Sequence, residues 1–435
     1  MEVNMRIEKQ TLNDALRVLG KVVSQTSPVE QYRSIRFVGG HGVIRAMAAD
    51  GVEVVSLGLS AEVFEPVDFC VEFRELRELV RIARNDVELS GTLIEFPELE
   101  AVPVEALETP LSDNFCDLVS QAAAVIDRSN YRQILQGVNL SAAGITATDG
   151  KQLLNLPCPL NLAENITLPF PLALLAAKLN EPGHLWTWKS GNNKMFKLEI
   201  GSFMWQGKAL EGMYPEWKNI IPETNALDYH IKFTEPEQVL AWLKNIPPQK
   251  GSNGVEVIPS DKAVTLKSCI LPNNTINTVA EYSGVLPQIG LTLDREVLLR
   301  MFLQDNTTLH AHSAGLLPIL ATGGDGRYVA MPMRVINQTK TTNSIPNKEE
   351  QTMENIQTVG SAPVQMVTPA VPETEINPLE ELGNSIEAFK LKLKVAFDDL
   401  AMLSRKVKEV QIQQRQKERD FIQARRAIER IRMAI

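Results

Sequence analysis

The chain has 435 residues, 44% of them hydrophobic and 22% charged, with a net charge of −9 at pH 7. That length accommodates about two to four domains of ordinary globular composition. No run approaches the ~18 consecutive apolar residues of a membrane helix. The opening Met1–Arg6 lacks the apolar core of a secretory leader. The acidic balance argues only weakly against a nucleic-acid partner, because the distribution of charge outweighs its sum. Cys70, Cys116, Cys158 and Cys269 are scattered without CxxC spacing. That argues against zinc and for reduced thiols in a cytoplasmic protein.

Taken in order, the chain repeats a unit of helix, strands, helix, strands three times. First helices are expected from near Thr11, Asp113 and Thr234, and second helices from near Phe73, Leu168 and Asp294, about 60 residues later each time. Thr11 with Asp14, and Thr234 with Glu237, have the cap-plus-acid spacing of a helix start. The intervening strands resemble one another. Ile35–Phe37 followed by Val43–Gly51 parallels Val138–Leu140 followed by Ile145–Gly150, and Val255–Val257 followed by Val264–Ser268 is a weaker third copy. Repetition at ~100 residues indicates three copies of one α+β domain, with boundaries near residues 111 and 226.

The third unit ends in Tyr328–Val335, which alternates like a strand: Val329, Met331, Met333 and Val335 share one face, Tyr328, Ala330, Pro332 and Arg334 the other. Because Pro332 has no N–H, this is expected to be an edge strand. Its two methionines offer a soft apolar surface suited to short peptides, or simply a strand's buried face. Residues 338–376 have no apolar period and read as a flexible linker. From Leu379 a 3-4 spacing of apolar residues (Leu382, Ile386, Phe389, Leu393 onward) continues to Ile435, interrupted at Gln414 and Lys417. About eight heptads in one register predict a coiled coil over 377–435; a long amphipathic helix packed back on the body has the same pattern.

The chemistry-bearing residues are few. Arg74, Arg77, Arg81 and Arg84 fall on one helical face, and Arg17 and Lys21 lie one turn apart on the preceding helix. Lys178, Lys244 and Arg300 are the thinner equivalents in the later units. Such a face can track phosphates without sequence preference, although alone it reads first as a solvated face balanced by Glu72, Glu75 and Glu78. Thr148-Asp149-Gly150 is read as a hairpin turn rather than a catalytic acid. His310 and His312 share a strand face with no third metal ligand nearby. No phosphate-binding glycine loop, nucleophile elbow or HExxH motif occurs. No catalysis and no cofactor are expected.

Three segments, Ala147–Leu153 (ATDGKQL), Glu211–Pro222 (EGMYPEWKNIIP) and Tyr328–Val335 (YVAMPMRV), resemble the bacterial DNA polymerase III beta subunit, the sliding clamp. The resemblance spans residues 5–336. It implies three clamp domains (1–111, 112–226 and 227–337), each with two helices on antiparallel sheets, followed by the added linker and coil. It further implies a head-to-tail homodimeric ring around duplex DNA, with the nine basic residues named above on the DNA side. A peptide cleft for DNA polymerase and clamp-loader subunits is implied at Leu135, Thr148, Gly150, Lys151, Gln152, Leu153, Pro215, Asn219, Ile220, Leu316, Met331, Pro332, Met333, Arg334 and Val335. The sequence departs from the family in three places. Lys151-Gln152 stand where His-Arg is usual, Asn219 stands where an arginine is usual, and about 100 residues follow the segment that ends the family's chains. The extension is read as a coiled-coil partner site at 379–435. A specialised clamp-like paralogue, or a coiled-coil scaffold with a clamp-fold head, fits the same residues.

Overall fold

The computed structural model describes residues 5–333, apart from 41, 64, 98–99, 249–252, 261–262, 272, 286 and 288–289. Arg334, Val335, the linker at 338–376 and the coil at 377–435 lie outside the described residues. The first repeat runs β1 (Met5–Glu8), α1 (Lys9–Leu19), β2 (Ser34–Gly40), β3 (Val43–Ala49), β4 (Glu53–Ser60), β5 (Glu62–Val63), β6 (Val67–Glu72), α2 (Phe73–Ile82) and β7 (Asp86–Leu89). The second runs β8 (Leu107–Leu111), α3 (Phe115–Ala123), β9 (Val138–Ser141), β10 (Gly144–Thr148), β11 (Gln152–Leu156), β12 (Ile166–Leu168), α4 (Leu172–Ala177), β13 (Gly183–Ser190), β14 (Asn193–Ile200) and β15 (Phe203–Lys208). The third runs β16 (Tyr229–Phe233), α5 (Pro236–Asn245), β17 (Gly254–Pro259), β18 (Ala263–Ser268), β19 (Thr275–Gly284), β20 (Leu291–Asp294), α6 (Arg295–Leu303), β21 (Thr308–Ala311), β22 (Ile319–Thr322) and β23 (Arg327–Ala330).

Strand pairing carries the chain across the repeat boundaries. β4 pairs with β15 inside an antiparallel sheet ordered β6-β2-β3-β4-β15-β14-β13-β8, so the first and second repeats share one ladder. β11 pairs with β23 in a larger sheet, β12-β9-β10-β11-β23-β22-β21-β16-β19-β18-β17-β20, which joins the second repeat to the third. A small sheet, β5-β1-β7, belongs to the first repeat alone. Where the second and third repeats continue after the equivalent of β7 with two more strands, the described residues of the first make only the single bridge Cys70–Thr92.

The helices cover one face of these sheets. Leu12, Leu16 and Leu19 of α1, Leu76 and Val80 of α2 and Leu298, Met301 and Phe302 of α6 are buried in one apolar core with strand residues; α1 packs on β3 and β4, α2 on β6 and α6 on β20. Each such side chain contributes about 1.5–3 kcal/mol on burial. Helix packing runs α2–α1–α4–α3 and, separately, α5–α6. Gln304 at the end of α6 closes the gap by donating from Nε2 to the Gln121 carbonyl in α3 at 3.0 Å. One continuous row of six helices results. The opposite sheet faces carry two small apolar clusters under connecting segments. Phe96 packs with Met47, Ala49 and Cys70, and Trp217 packs with Leu153, Leu320 and Val329.

Several local expectations are corrected. The strand expected from Tyr328 is not an edge strand: β23 stops at Ala330 and lies between β11 and β22, so Pro332 falls beyond the ladder that it would have broken. Thr11 is inside α1 and donates its hydroxyl back to Glu8 at 3.1 Å, while Thr234 donates to the Val279 carbonyl at 2.9 Å; neither caps a helix. Asp294 does cap α6, accepting from the N–H groups of Glu296 and Val297. The second helix of the middle repeat is shorter than expected, because Ile166–Leu168 pairs as a strand with β9 and α4 begins only at Leu172.

Candidate functional site

Two surfaces deserve a chemical description, and the first lies on the helix row. Arg17, Lys21, Arg74, Arg77 and Arg81 line one groove of about 900 Å³ between α1 and α2. The two helices approach closely because Gly20, at the end of α1, sits over the Phe73 ring; a Cβ there would lie 2.6 Å from Phe73 Cζ. Arg81 pairs with Glu78 at 2.7 Å and Arg17 with Asp14 at 3.9 Å, both exposed and weak. Lys21, Arg74 and Arg77 pair with no acid among the described residues. Bases without acidic partners on one groove are of the kind that can attract a polyanion.

The other predicted bases do not join this groove. Arg84 is exposed just past the end of α2, and Lys178 is exposed at the left-handed C-cap of α4 (φ 53°). Lys244 is exposed in the last turn of α5. Arg300 is half-buried in α6 and interacts with the Tyr328 hydroxyl. It therefore lies at the ladder joining the second and third repeats. Of the predicted bases, only those of α1 and α2 in the first repeat share a groove.

The second surface is built where β11 meets β23. The register pairs Gln152 with Ala330, Leu153 with Val329, Leu154 with Tyr328 and Asn155 with Arg327. The hairpin before it is a turn at Asp149-Gly150, as its sequence predicts. Gly150 takes φ +93°, which favours glycine, and Asp149 Oδ1 accepts from the N–H groups of Lys151 (2.8 Å) and Gln152 (2.9 Å). Thr148 adds a 2.6 Å bond from its hydroxyl to the Gln152 carbonyl. Gln152 is buried, donating from Nε2 to Asp149 Oδ2 at 2.8 Å and accepting from the Tyr328 hydroxyl. Burial pushes the Tyr328 hydroxyl up, so it stays a neutral donor.

Beyond β23 the main chain makes one further bond to the second repeat and one to β20 of its own repeat. The Met331 N–H donates to the Lys151 carbonyl at 2.9 Å, and the Met333 N–H to the Thr292 carbonyl at 2.8 Å. Met331 is 45% exposed, Ile220 47% and Leu316 46%, whereas Leu135 and Leu153 are buried. Pro215 and Asn219 lie on the segment that Trp217 anchors; Asn219 Nδ2 donates to Glu216 Oε2 at 3.3 Å. Met331, Gln152 and Leu153 are thus adjacent where β23 meets β11, with the Met331 side chain partly exposed. That is the makeup of a surface for short peptides. Sequence reasoning missed Trp217 and Leu320 as its supports. An indole in the middle of Glu211–Pro222 was the available signal, and Leu320 had none.

The histidines stand apart from both surfaces. His310 faces His230 across β21 and β16 with ring centroids 5.6 Å apart, and its Nε2 lies 3.0 Å from Thr322 Oγ1. Burial, and secondarily His230, hold His310 below the usual imidazole range. Among the described residues no group of three metal-ligating side chains occurs, and no helix is long and apolar enough to cross a membrane.

A row of helices on one face, antiparallel sheets on the other and shared ladders between repeats define the fold of a DNA sliding clamp. Solved structures that it matches include DNA polymerase III beta subunits. The Bacillus subtilis sliding clamp aligns over 76% of this chain and 99% of its own, at 15% identity and a TM-score of 0.63. The Thermotoga maritima beta subunit aligns over 76% and 99% at 16% identity and 0.63. A Bartonella birtlesii sliding clamp bound to griselimycin aligns over 76% and 100% at 16% identity and 0.63. No protein-family model and no curated protein sequence matches the chain.

Proposed function

We propose that this protein is a non-catalytic, cytoplasmic sliding clamp that holds replication or repair proteins on duplex DNA. The observation that carries the reading is the row of six helices, basic at the α1–α2 groove, with α1, α2, α3, α5 and α6 packed on strands. A surface of that kind attracts phosphates without reading bases. In this reading residues 1–111, 112–226 and 227–337 are three clamp domains, and two chains join head to tail into a ring. The free sheet edges support such closure. Among the described residues, β7 has only β1 beside it, and Thr275–Val279 of β19 has only β18. Polymerase and clamp-loader peptides would dock at Met331, Ile220 and Leu316, and residues 379–435 would engage a coiled-coil partner.

The test is retention. Protein assembled on circular duplex DNA and separated by gel filtration in moderate salt should stay bound until the circle is cut, then run off the ends. Equal retention on both forms would mark an ordinary DNA binder. Light scattering across a dilution series should give a two-chain mass for residues 1–337.

A specialised paralogue is the second reading. It is favoured by the absence, among the described residues, of two further strands after β7, and by Lys151-Gln152 at the hairpin of the peptide surface. That chain would retain the ring but recruit different partners.

A further inference from the structure

The outer face of β11, β23 and β22 continues past Trp217. On the far side lies a second groove of about 850 Å³, lined by Asn155, Lys218, Ile221, Leu320 and Arg327 with Trp217 as its near wall. Side chains two apart on a strand share a face, so the cross-strand pair Leu153–Val329 beneath the peptide surface and the pair Asn155–Arg327 in this groove form one continuous row. Trp217 packs on Leu153, Val329 and Leu320 and forms a low sill between the two.

The groove's charge is distinctive. Arg327 is exposed, and Lys218 Nζ sits 5.9 Å from the Trp217 ring centroid. Neither base pairs with an acid among the described residues, although one acid, Glu223, also lines the groove. A mixed lining with Trp217, Ile221 and Leu320 beside two available bases suits an extended peptide carrying carboxylates, which gain charge-assisted hydrogen bonds there. Arg327 and Met331 are four positions apart, about 13 Å at strand rise, so one continuous peptide can reach both places.

We propose that this groove is a second station for the docked peptide: an acidic stretch flanking the segment held at Met331 crosses the Trp217 sill and is read by Lys218 and Arg327. The proposal rests on the peptide-cleft reading above. Its consequence is that partners are ranked by the charge beside their apolar anchor as well as by the anchor itself.

The experiment uses the full-length chain and fluorescein-labelled peptides in anisotropy titrations. The core probe is Gln-Leu-Ala-Leu-Phe; longer probes add Asp-Asp-Glu, or Ser-Ser-Gly as control, at either end. One acidic probe is expected to bind about tenfold tighter than its serine control in 50 mM salt, as two charge-assisted contacts imply. The gain should vanish in 500 mM salt and in the Lys218→Ala/Arg327→Ala variant, which should keep wild-type affinity for the core probe. Equal affinity of acidic and serine probes, or a gain that survives the double substitution, overturns the groove and leaves the cleft standing. Failure of every probe to bind overturns both.

Discussion

Trp205 Nε1 donates to Glu53 Oε2 at 2.7 Å across the ladder where β15 of the second repeat meets β4 of the first. Burial, and then the neighbouring Asp50, raise the Glu53 carboxyl to about 7, while the indole hydrogen bond works in the opposite direction. The folded chain therefore keeps a proton that the unfolded chain releases above about 4.5. Stability from this group is fully present below that pH and is lost as pH rises through about 7. Glu53→Gln keeps an acceptor for Trp205 without the charge. It should leave stability at pH 5 nearly unchanged and raise it at pH 8 by on the order of 3 kcal/mol, read from urea unfolding at the two pH values. Parallel pH profiles for the two proteins would refute the assignment.

The α1–α2 groove should contribute to DNA affinity through counterion release. Replacing Arg17, Arg74 and Arg77 by Ala removes three bases that line it. The slope of log affinity against log salt on duplex DNA should become shallower by up to about 2.7, while circular dichroism melting stays within about 0.5 kcal/mol of wild type. An unchanged slope would move the DNA contact elsewhere.

Met331 is held by its own N–H on the Lys151 carbonyl, and its side chain is 45% exposed. Met331→Lys should weaken core-peptide binding at least tenfold, a loss of about 1.4 kcal/mol, with little effect on thermal stability. Titration of the labelled core probe reads the first and a melting curve the second. Undiminished binding would remove Met331 from the cleft.

Arg295 is a structural cation rather than a DNA contact. Its side chain is buried, donates from Nε and Nη2 to the Leu243 carbonyl at 2.9 and 2.6 Å, and pairs with Glu296. It satisfies the C-terminal end of α5, where positive charge is favoured. Arg295→Ala should cost about 2–3 kcal/mol in denaturant unfolding, and Arg295→Lys should recover part of that loss.

Much of this architecture is legible from residue order alone, for reasons that are local. Asp149-Gly150 specifies its turn because a side-chain carboxylate bonds the next two N–H groups and glycine tolerates positive φ. The arginines of α2 specify a shared face because helical periodicity fixes their azimuth. Even so, nearest-neighbour rules misplace Thr11, Thr234 and the helix expected at Leu168. For Leu168 and Thr234 the competitors are a strand ladder to β9 and a carbonyl on β19, both brought in by distant chain, whereas Thr11 bonds the nearby Glu8.

The sequence by itself determined the threefold recurrence, the turn chemistry and the basic helix face, since each depends on spacings of a few residues. Only the tertiary structure decided which bases share a groove, that β23 is central, and that Arg300 interacts with Tyr328 near the β11–β23 ladder. It alone brought Glu53 to Trp205, 152 positions away, and Lys218 to one groove with Arg327. The physical reason is the same in each case. Strand pairing between repeats is non-local, so the partners that set burial, charge and access lie outside any window in which a sequence pattern can be read.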